Sequence, residues 1–143
     1  MLLEYIDFNT EIAVREFLIS PIFISLLKRV KFKLKSEKSI YFNKRLRGVI
    51  DYYIEAKSNL VVLEAKHKDL NNGFKQLAME LIALDKLTNE KEKEIFGVLT
   101  IGTDWIFATI DRDKKIITKD LKVYRVPEEL DKLLGILNFI IKS

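Results

Sequence analysis

Three charged residues of the kinds that bind metal ions and activate water, Asp51, Glu64 and Lys66, lie within two strand-like apolar runs. The runs, residues 48–56 and 60–66, are separated by a three-residue turn. An antiparallel hairpin built from them places Asp51 opposite, or one position off, the end of the second run. Two carboxylates and an ammonium group then share one end of the hairpin. This arrangement is costly among apolar neighbours unless something binds it.

A hard divalent cation is the natural ligand for such a cluster. Mg²⁺ prefers oxygen ligands, usually one or two carboxylates completed by waters and substrate phosphate. It can supply an activated water for phosphodiester hydrolysis, and the ammonium group of Lys66 can stabilise negative charge as it develops. The cluster therefore predicts a metal-dependent nuclease site with Mg²⁺ or Mn²⁺ as its cofactor.

Glu64-Ala65-Lys66 is a Glu-x-Lys triplet, and another such triplet, Glu55-Ala56-Lys57, lies nine residues before it. Glu55 belongs to the same run as Asp51, near the turn, so these two acids lie along one strand and do not face each other. Glu64-Ala65-Lys66 instead ends the unbroken apolar run Leu60–Leu63, which is typical of a central strand buried on both faces. We therefore assign the site to Glu64-Ala65-Lys66.

The same residues resemble the hallmark of the PD-(D/E)XK nuclease superfamily, an acid on one strand followed across a hairpin by Glu/Asp-x-Lys. Asp51 matches the acid and Glu64-Ala65-Lys66 matches the triplet, while Ile50 replaces the usual Pro. The resemblance implies an α/β fold with a restriction-endonuclease-like core, a mixed central β-sheet flanked by helices. It also implies that Asp51, Glu64 and the backbone carbonyl of Ala65 hold the metal, and that Lys66 acts on the attacking water.

Further segments are similar to the nuclease domain of type I restriction-enzyme motor subunits and to RecB-type nucleases, so the resemblance spans most of the chain. Glu11–Arg15 and Leu18–Ile22 look like the opening helix, Gln76 looks like the glutamine shared after the catalytic strand, and Gly97–Gly102 with Trp105–Phe107 looks like the next strand, turn and strand.

Two helix positions carry open alternatives. Many relatives have an acid on the first helix that holds metal-bound water, and Glu11 has the matching place, with Glu16 and Glu4 as rivals; Glu11 is also explained as a first-turn acid favoured by the helix dipole. One turn after Gln76 the relatives usually have Tyr, whereas this chain has Glu80. The alternative to a site role is a solvated helix face, which we expect for Glu80 and keep open for Gln76.

Charge is distributed unevenly along the chain. The net charge is +4, yet the segment from Lys28 to Arg47 carries nine basic residues and one acid, Glu37. A cationic track of this kind suits a polyanion, because phosphate contacts provide affinity without sequence readout; for the strand-like part the alternative is a solvated edge strand protected by lysines. The predicted nucleic-acid contacts are Lys31, Lys33, Lys35, Lys44, Arg45 and Arg47.

Composition limits the remaining possibilities. Residues 1–143 are enough for one core and too few for two, so we expect a single domain. The absence of cysteine excludes thiolate ligation and the iron–sulfur cluster of some RecB-type relatives, and a lone His67 cannot form a zinc site. No run has the length of a membrane span and no signal pattern is present, so we expect a cytoplasmic protein that does not contact a membrane.

Periodicity and turn residues predict the following elements. They are a helix over about residues 10–20 and a helical segment from Pro21 to about Lys28; strands near 30–35, 39–43, 48–56 and 60–66; a helix capped by Asn71-Asn72-Gly73 and ending near Thr88; strands near 95–101, 105–110, 115–118 and 122–125; and a last helix starting at Pro127. The last helix is apolar nearly all round, which indicates deep burial or a homodimer contact.

The sequence thus predicts a metal-dependent phosphodiesterase acting on DNA, in restriction, repair, recombination or a mobile element. A junction resolvase is a variant of this prediction that requires a homodimer. The alternative from another class is a catalytically silent nucleic-acid-binding or assembly subunit that retains the fold. Substrate structure and sequence preference depend on loops and assembly, and the sequence does not specify them.

Overall fold

A computed structural model describes residues 5–7 and 9–142 of the chain. The chain forms an α/β structure, with one mixed sheet between two helical layers, as the sequence predicted. In chain order the elements are α1 (Glu11–Val14), a π-helical turn (Arg15–Ile19), α2 (Ser20–Leu27), β1 (Lys33–Tyr41), β2 (Arg47–Glu55), β3 (Asn59–Ala65), α3 (Leu70–Leu87), β4 (Glu94–Thr100), β5 (Asp104–Asp111), β6 (Ile116–Arg125) and α4 (Leu130–Lys142).

The six strands lie in the sheet in their chain order. Among the strands of the described residues, β3 and β4 form the only parallel pair, and α3 connects them, as a parallel connection requires. Every residue of β3 is buried, which agrees with its unbroken apolar run and its central position. β1 and β6 are the two edge strands.

Two hydrophobic clusters cover the two faces of the sheet. The first lies under α1, α2 and α4 and includes Phe23, Trp105 and Leu137. The second lies under α3 and includes Leu77 and Leu81. Helices therefore flank the sheet on both sides. The N-terminal turns of α1 and α3 come together at Lys66, the residue after β3.

The predicted strands 30–35 and 39–43 are one strand, β1, with a kink at Glu37. Glu37 has a left-handed φ of 52°, which is uncommon for a residue with a side chain. Leu34 packs on the first cluster and Ile40 on the second, although strict alternation would put both on one face. Because Lys38 pairs with Ile50 and Ser36 with Tyr52, the kink lies opposite Asp51.

Strand β2 changes face at the same level. Ile50 contributes to the cluster under α3, whereas Tyr52 contributes to the cluster under α1 and α2. The β1–β2 hairpin beyond the kink thus bends over α3, where Gly48 lies beside Met79 and Glu80. Asp51 occupies the bend itself.

Two predictions for the part of the chain after residue 110 were wrong. The strands near 115–118 and 122–125 form one strand, β6, whose register shifts where Ile106 and Ala108 pair with it. The last helix begins at Leu130, because Glu129 accepts a hydrogen bond from the Arg125 backbone N–H at 3.2 Å and residues 126–129 form a turn. The side of α4 that includes Leu133, Leu137, Ile140 and Ile141 is buried in the core.

Helix α3 begins one turn earlier than predicted. Asp69, and not the Asn-Asn-Gly segment, caps it: its Oδ1 accepts a hydrogen bond from the Asn72 N–H at 3.3 Å. Gly73 instead allows the helix backbone to approach the sheet closely, since a Cβ at this position would lie 2.8 Å from Leu99 Cδ1 and 3.0 Å from Lys66 Cγ. The first turns of α3 are therefore packed directly against Lys66.

Candidate functional site

Asp51 and Glu64 face each other across the β2–β3 hairpin. The last paired residues are Tyr52 and Leu63, so the next position in register joins Asp51 to Glu64. The Ala65 N–H donates a hydrogen bond to Asp51 Oδ2 at 2.8 Å, which ties the carboxylate to the end of β3. The predicted register of the hairpin is confirmed, and it follows from the short turn and the apolar runs on either side.

The ammonium group of Lys66 lies among three polar side chains. Its Nζ donates a hydrogen bond to Gln76 Oε1 at 3.0 Å, and it lies 3.8 Å from Glu64 Oε1 and 3.7 Å from Glu11 Oε1. The Lys66 side chain is 20% exposed, so it is held in place yet open to a ligand. The structure thus brings Gln76 and Glu11 to the same site as the strand residues.

Of the three rival acids of the first helix, the structure describes Glu11 and Glu16. Glu11, in the first turn of α1, contacts Lys66. Glu16 is exposed and lines a groove between the first helices and β1. Glu4 lies outside the described residues. Thr10 fixes the start of α1, because its Oγ1 accepts a hydrogen bond from the Ala13 N–H at 3.1 Å.

The prediction that Glu80 lies on a solvated face was wrong. Glu80 is 0% exposed and points from α3 toward the sheet, next to Glu64, which is 1% exposed. The signal was present in the spacing, since Glu80 is three residues after Leu77 and four before Leu84, both of which are buried. A charged residue inside an apolar helical stripe was therefore the clue that the sequence reading missed.

Burial places Glu64 and Glu80 in an unusual protonation state. Glu64 Oε2 and both carboxyl oxygens of Glu80 are buried and have no hydrogen-bond donor among the other described groups. Burial raises the pKa of Glu64 far above its ordinary value, and the neighbouring Glu80 and Asp51 act in the same direction. Burial likewise raises the pKa of Glu80 to about 7. The two carboxyl groups therefore share a proton at neutral pH.

Arg15 also reaches the site, and the sequence reading did not single it out. Its Nη1 lies 4.0 Å from Asp51 Oδ1 and 3.3 Å from Glu37 Oε1, and its guanidinium carbon lies 5.2 Å from the centre of the Tyr52 ring. Arg15 begins the π-helical turn, a feature often found at functional sites. Nothing in the sequence spacing marks this residue, because its contacts depend on how α1 packs across β2.

The donor set fits a hard divalent cation. Asp51 and Glu64 supply carboxylate oxygens, and the Ala65 carbonyl lies between Glu64 and Lys66 in the chain. Apart from the proton that Glu64 shares with Glu80, its buried Oε2 has no partner among the described groups, and a bound cation would supply one. Within residues 5–7 and 9–142, no group of three or more His, Cys, Asp or Glu side chains is arranged to hold a metal ion. Coordination by two carboxylates, a carbonyl, water and phosphate is the Mg²⁺ pattern.

The six basic residues predicted to contact nucleic acid are exposed and divide into two groups. Lys33 lies opposite Glu55 and Lys35 opposite Tyr53, so these two lie along the sheet edge on the side of Asp51 toward the turn end of β2. The second group lies at the turn of the β1–β2 hairpin, which contacts α3: Lys86 Nζ of α3 lies 5.4 Å from the centre of the Phe42 ring. Arg47 directly precedes Gly48, which is beside Glu80. The six predicted nucleic-acid contacts form no ion pair with a described carboxylate; they are Lys31, Lys33, Lys35, Lys44, Arg45 and Arg47.

The remaining charged candidates lie elsewhere. The triplet Glu55-Ala56-Lys57 is at the turn end of the hairpin, four positions along β2 from Asp51, and it does not contact the site. His67 follows Lys66 and is partly buried, with a buried Nδ1 that has no hydrogen-bond partner among the described residues.

No protein-family model matches this chain, and no match was found among curated proteins or among solved structures. Across the part of the chain that the structure describes, no helix combines the length and the apolar character needed to cross a bilayer.

Proposed function

We propose that this chain is a Mg²⁺- or Mn²⁺-dependent nuclease of the PD-(D/E)XK type, acting on DNA. The observation that carries the proposal is the convergence of Asp51, Glu64 and Lys66 at the end of β3, with Asp51 hydrogen-bonded to the Ala65 N–H at 2.8 Å. Asp51 comes from β2, Glu64 from β3 and Lys66 from the residue after β3, which is the order that the resemblance implies. Burial of Glu64 in this position is hard to explain by stability, because its Oε2 has no hydrogen-bond donor among the described groups and a second acid, Glu80, is buried beside it.

In the proposed site Asp51, Glu64 and the Ala65 carbonyl hold the cation. When bound there, the cation supplies an activated water and charge neutralisation for phosphodiester hydrolysis. In the net reaction a water oxygen bonds to phosphorus, one P–O ester bond breaks, and the leaving oxygen takes up a proton.

Lys66 acts on the same atoms. Gln76 holds its Nζ through a 3.0 Å hydrogen bond, so the ammonium group is oriented before a substrate arrives. From that position it donates hydrogen bonds to the attacking oxygen or to the phosphoryl oxygens as they gain charge. Glu11, whose Oε1 lies 3.7 Å from the same Nζ, would accept a hydrogen bond from a water bound beside the lysine.

Cleavage of a mixed substrate panel tests this proposal. The panel contains single-stranded, duplex, circular and branched DNA together with RNA, each with Mg²⁺, Mn²⁺ or EDTA. Lys66→Ala should abolish cutting, whereas Lys57→Ala, the same change in the other Glu-x-Lys triplet, should leave it intact. If the wild type cuts nothing but retains salt-sensitive DNA binding, the chain is a binding or assembly subunit that keeps the fold.

A further inference from the structure

A groove of about 540 Å³ runs between the first helices and strand β1, next to the candidate site. Tyr52, the residue after Asp51, lies at its floor, and its hydroxyl is 2.7 Å from Ser20 Oγ. Arg15 belongs to both features: it lines the groove and its Nη1 lies 4.0 Å from Asp51 Oδ1. A molecule lying in the groove would therefore end at the metal-binding carboxylate.

The lining of the groove is largely apolar and carries two carboxylates and one guanidinium, that of Arg15, which pairs with Glu37 at 3.3 Å. Ile12 and Ile24 are 66% and 56% exposed, and they form an apolar wall together with Leu34. Glu16 and Glu37 lie on the same lining. With two carboxylates against one guanidinium, the lining has a net negative charge, which suits a neutral group better than a run of phosphates or an anionic cofactor.

A nucleobase has the properties that this lining requires. Its faces are apolar enough to pack on isoleucine side chains, and its edges carry donors and acceptors. Exocyclic amino groups of cytosine and adenine donate to carboxylates, and serine hydroxyls pair with either kind of edge. Glu16 and Ser36 offer these partners on the lining, and so do Glu37 and Ser20, which also contact Arg15 at 3.3 Å and Tyr52 at 2.7 Å.

We infer that the groove holds an unpaired base next to the scissile phosphate, so that the substrate is single-stranded or locally unpaired DNA. This inference rests on the proposed nuclease function and names its substrate class. A base paired within a duplex is covered on both faces and along one edge, and it cannot enter such a groove without leaving the stack. Arg15, between groove and carboxylates, contacts the phosphate that joins the two positions.

Binding in EDTA tests the groove separately from cleavage. Fluorescence anisotropy compares a short single-stranded oligonucleotide with its duplex and with an abasic strand that has the same phosphates. The wild type should bind the single strand roughly tenfold more tightly than either of the others, since base contacts add to the phosphate term. Equal or tighter binding of the duplex or of the abasic strand overturns the inference.

A matched pair of variants locates the effect. Ile24→Glu places a third carboxylate in the groove, whereas Ile116→Glu makes the same change on β6 at a residue that is 53% exposed and outside the groove. Ile24→Glu should remove the preference for the single strand, and Ile116→Glu should keep it. If both variants bind like the wild type, the groove is not the base site.

The two proposals fail in different ways. Metal-dependent cutting without a base-dependent preference in binding supports the nuclease function and contradicts base binding in the groove. A preference that Ile24→Glu removes, in a protein that cuts nothing with either metal, supports the groove and overturns the nuclease.

Discussion

The carboxyl groups of Glu64 and Glu80 meet inside the protein, between strand β3 and helix α3. One comes from the triplet that sequence reading singled out, and the other from a helix position that it placed in solvent. A protein that buries two acids together without donors of its own loses stability by doing so. Protonation of this pair therefore makes the free energy of unfolding depend on pH.

Glu80→Gln should make stability less dependent on pH. Burial raises the pKa of both glutamates, so above about pH 4.5 the folded protein holds protons that the unfolded chain has released. The free energy of unfolding of the wild type therefore falls as the pH rises toward 8. The variant has one carboxyl group fewer to deprotonate. We expect it to gain about 1–3 kcal/mol on the wild type between pH 5 and pH 8.

Urea unfolding at several pH values, in buffer with a chelator, measures this difference. Glu92→Gln is the control, because Glu92 is exposed in the loop before β4. The control should follow the wild-type curve. A Glu80→Gln protein whose stability falls with pH as steeply as the wild type would contradict the shared-proton description of the pair.

Divalent cations should stabilise the folded chain. A ligand that binds only the folded state, at a hundredfold excess over its dissociation constant, adds about 2.7 kcal/mol. For a chain of this size that shift raises Tm by about 5 °C or more. Glu64→Gln and Asp51→Asn should lose the response to Mn²⁺, and Glu55→Gln should keep it. Equal shifts in all four proteins would show that the cation binds somewhere else.

Lys66 should be required for turnover and dispensable for metal binding. Lys66→Ala is expected to lower the single-turnover rate by about 10²–10³, while calorimetry shows Mn²⁺ binding retained. Lys66→Arg should not restore the rate, since a compact charge fits the space that Gln76 defines. Gln76→Ala should cost less than Lys66→Ala, because it removes the orientation and leaves the charge.

Lys75→Ala is the matched control for the lysine series, since Lys75 is exposed on the same helix as Gln76. It should cleave like the wild type. A Lys66→Ala protein with unchanged turnover would remove Lys66 from the mechanism.

The two basic groups should differ in their effect on DNA binding. Arg47 adjoins the part of the hairpin next to Glu80, whereas the β1 lysines lead away from Asp51. Removing one cation that neutralises a phosphate lowers the salt slope of binding by about 0.7 to 0.9. We compare three triple alanine variants with three charges removed in each: Lys44, Arg45 and Arg47; Lys31, Lys33 and Lys35; and Lys57, Lys91 and Lys114 at the end of the sheet where β3 begins.

The hairpin variant should lose the most affinity and reduce the slope by about two to three. The β1 variant should lose less, in keeping with lysines that protect an edge strand. Equal losses from all three variants would show that net charge, and not a defined track, determines binding.

The sequence predicted well those features that depend on neighbours in the chain. The hairpin register followed from a short turn between two apolar runs, and it located Asp51 opposite Glu64. The central strand was recognisable because β3 has no polar residue before Glu64 other than Asn59. These features are local, and hydrophobic pattern determines them.

Features that depend on tertiary packing were missed. The kink at Glu37 joins what looked like two strands, and no glycine marks its left-handed backbone. Arg15 reaches Asp51 only because the first helices pack across β2. Glu80 is the exception, since its spacing from Leu77 and Leu84 already placed it on the buried face of α3. A charged residue within an apolar stripe is a site candidate before it is a surface residue.

Metal-dependent cleavage of DNA by the carboxylates at the end of β3 is the core of the proposed function. Its most direct test is single-turnover cleavage of the best panel substrate with Mn²⁺, comparing the wild type with Asp51→Asn and Glu55→Gln. Both changes convert an acid of strand β2 into its amide, one at the site and one at the turn end. We expect Asp51→Asn to lose cleavage by at least about a hundredfold and Glu55→Gln to match the wild type. Cleavage that persists in Asp51→Asn, or that proceeds equally in EDTA, would contradict the proposed function.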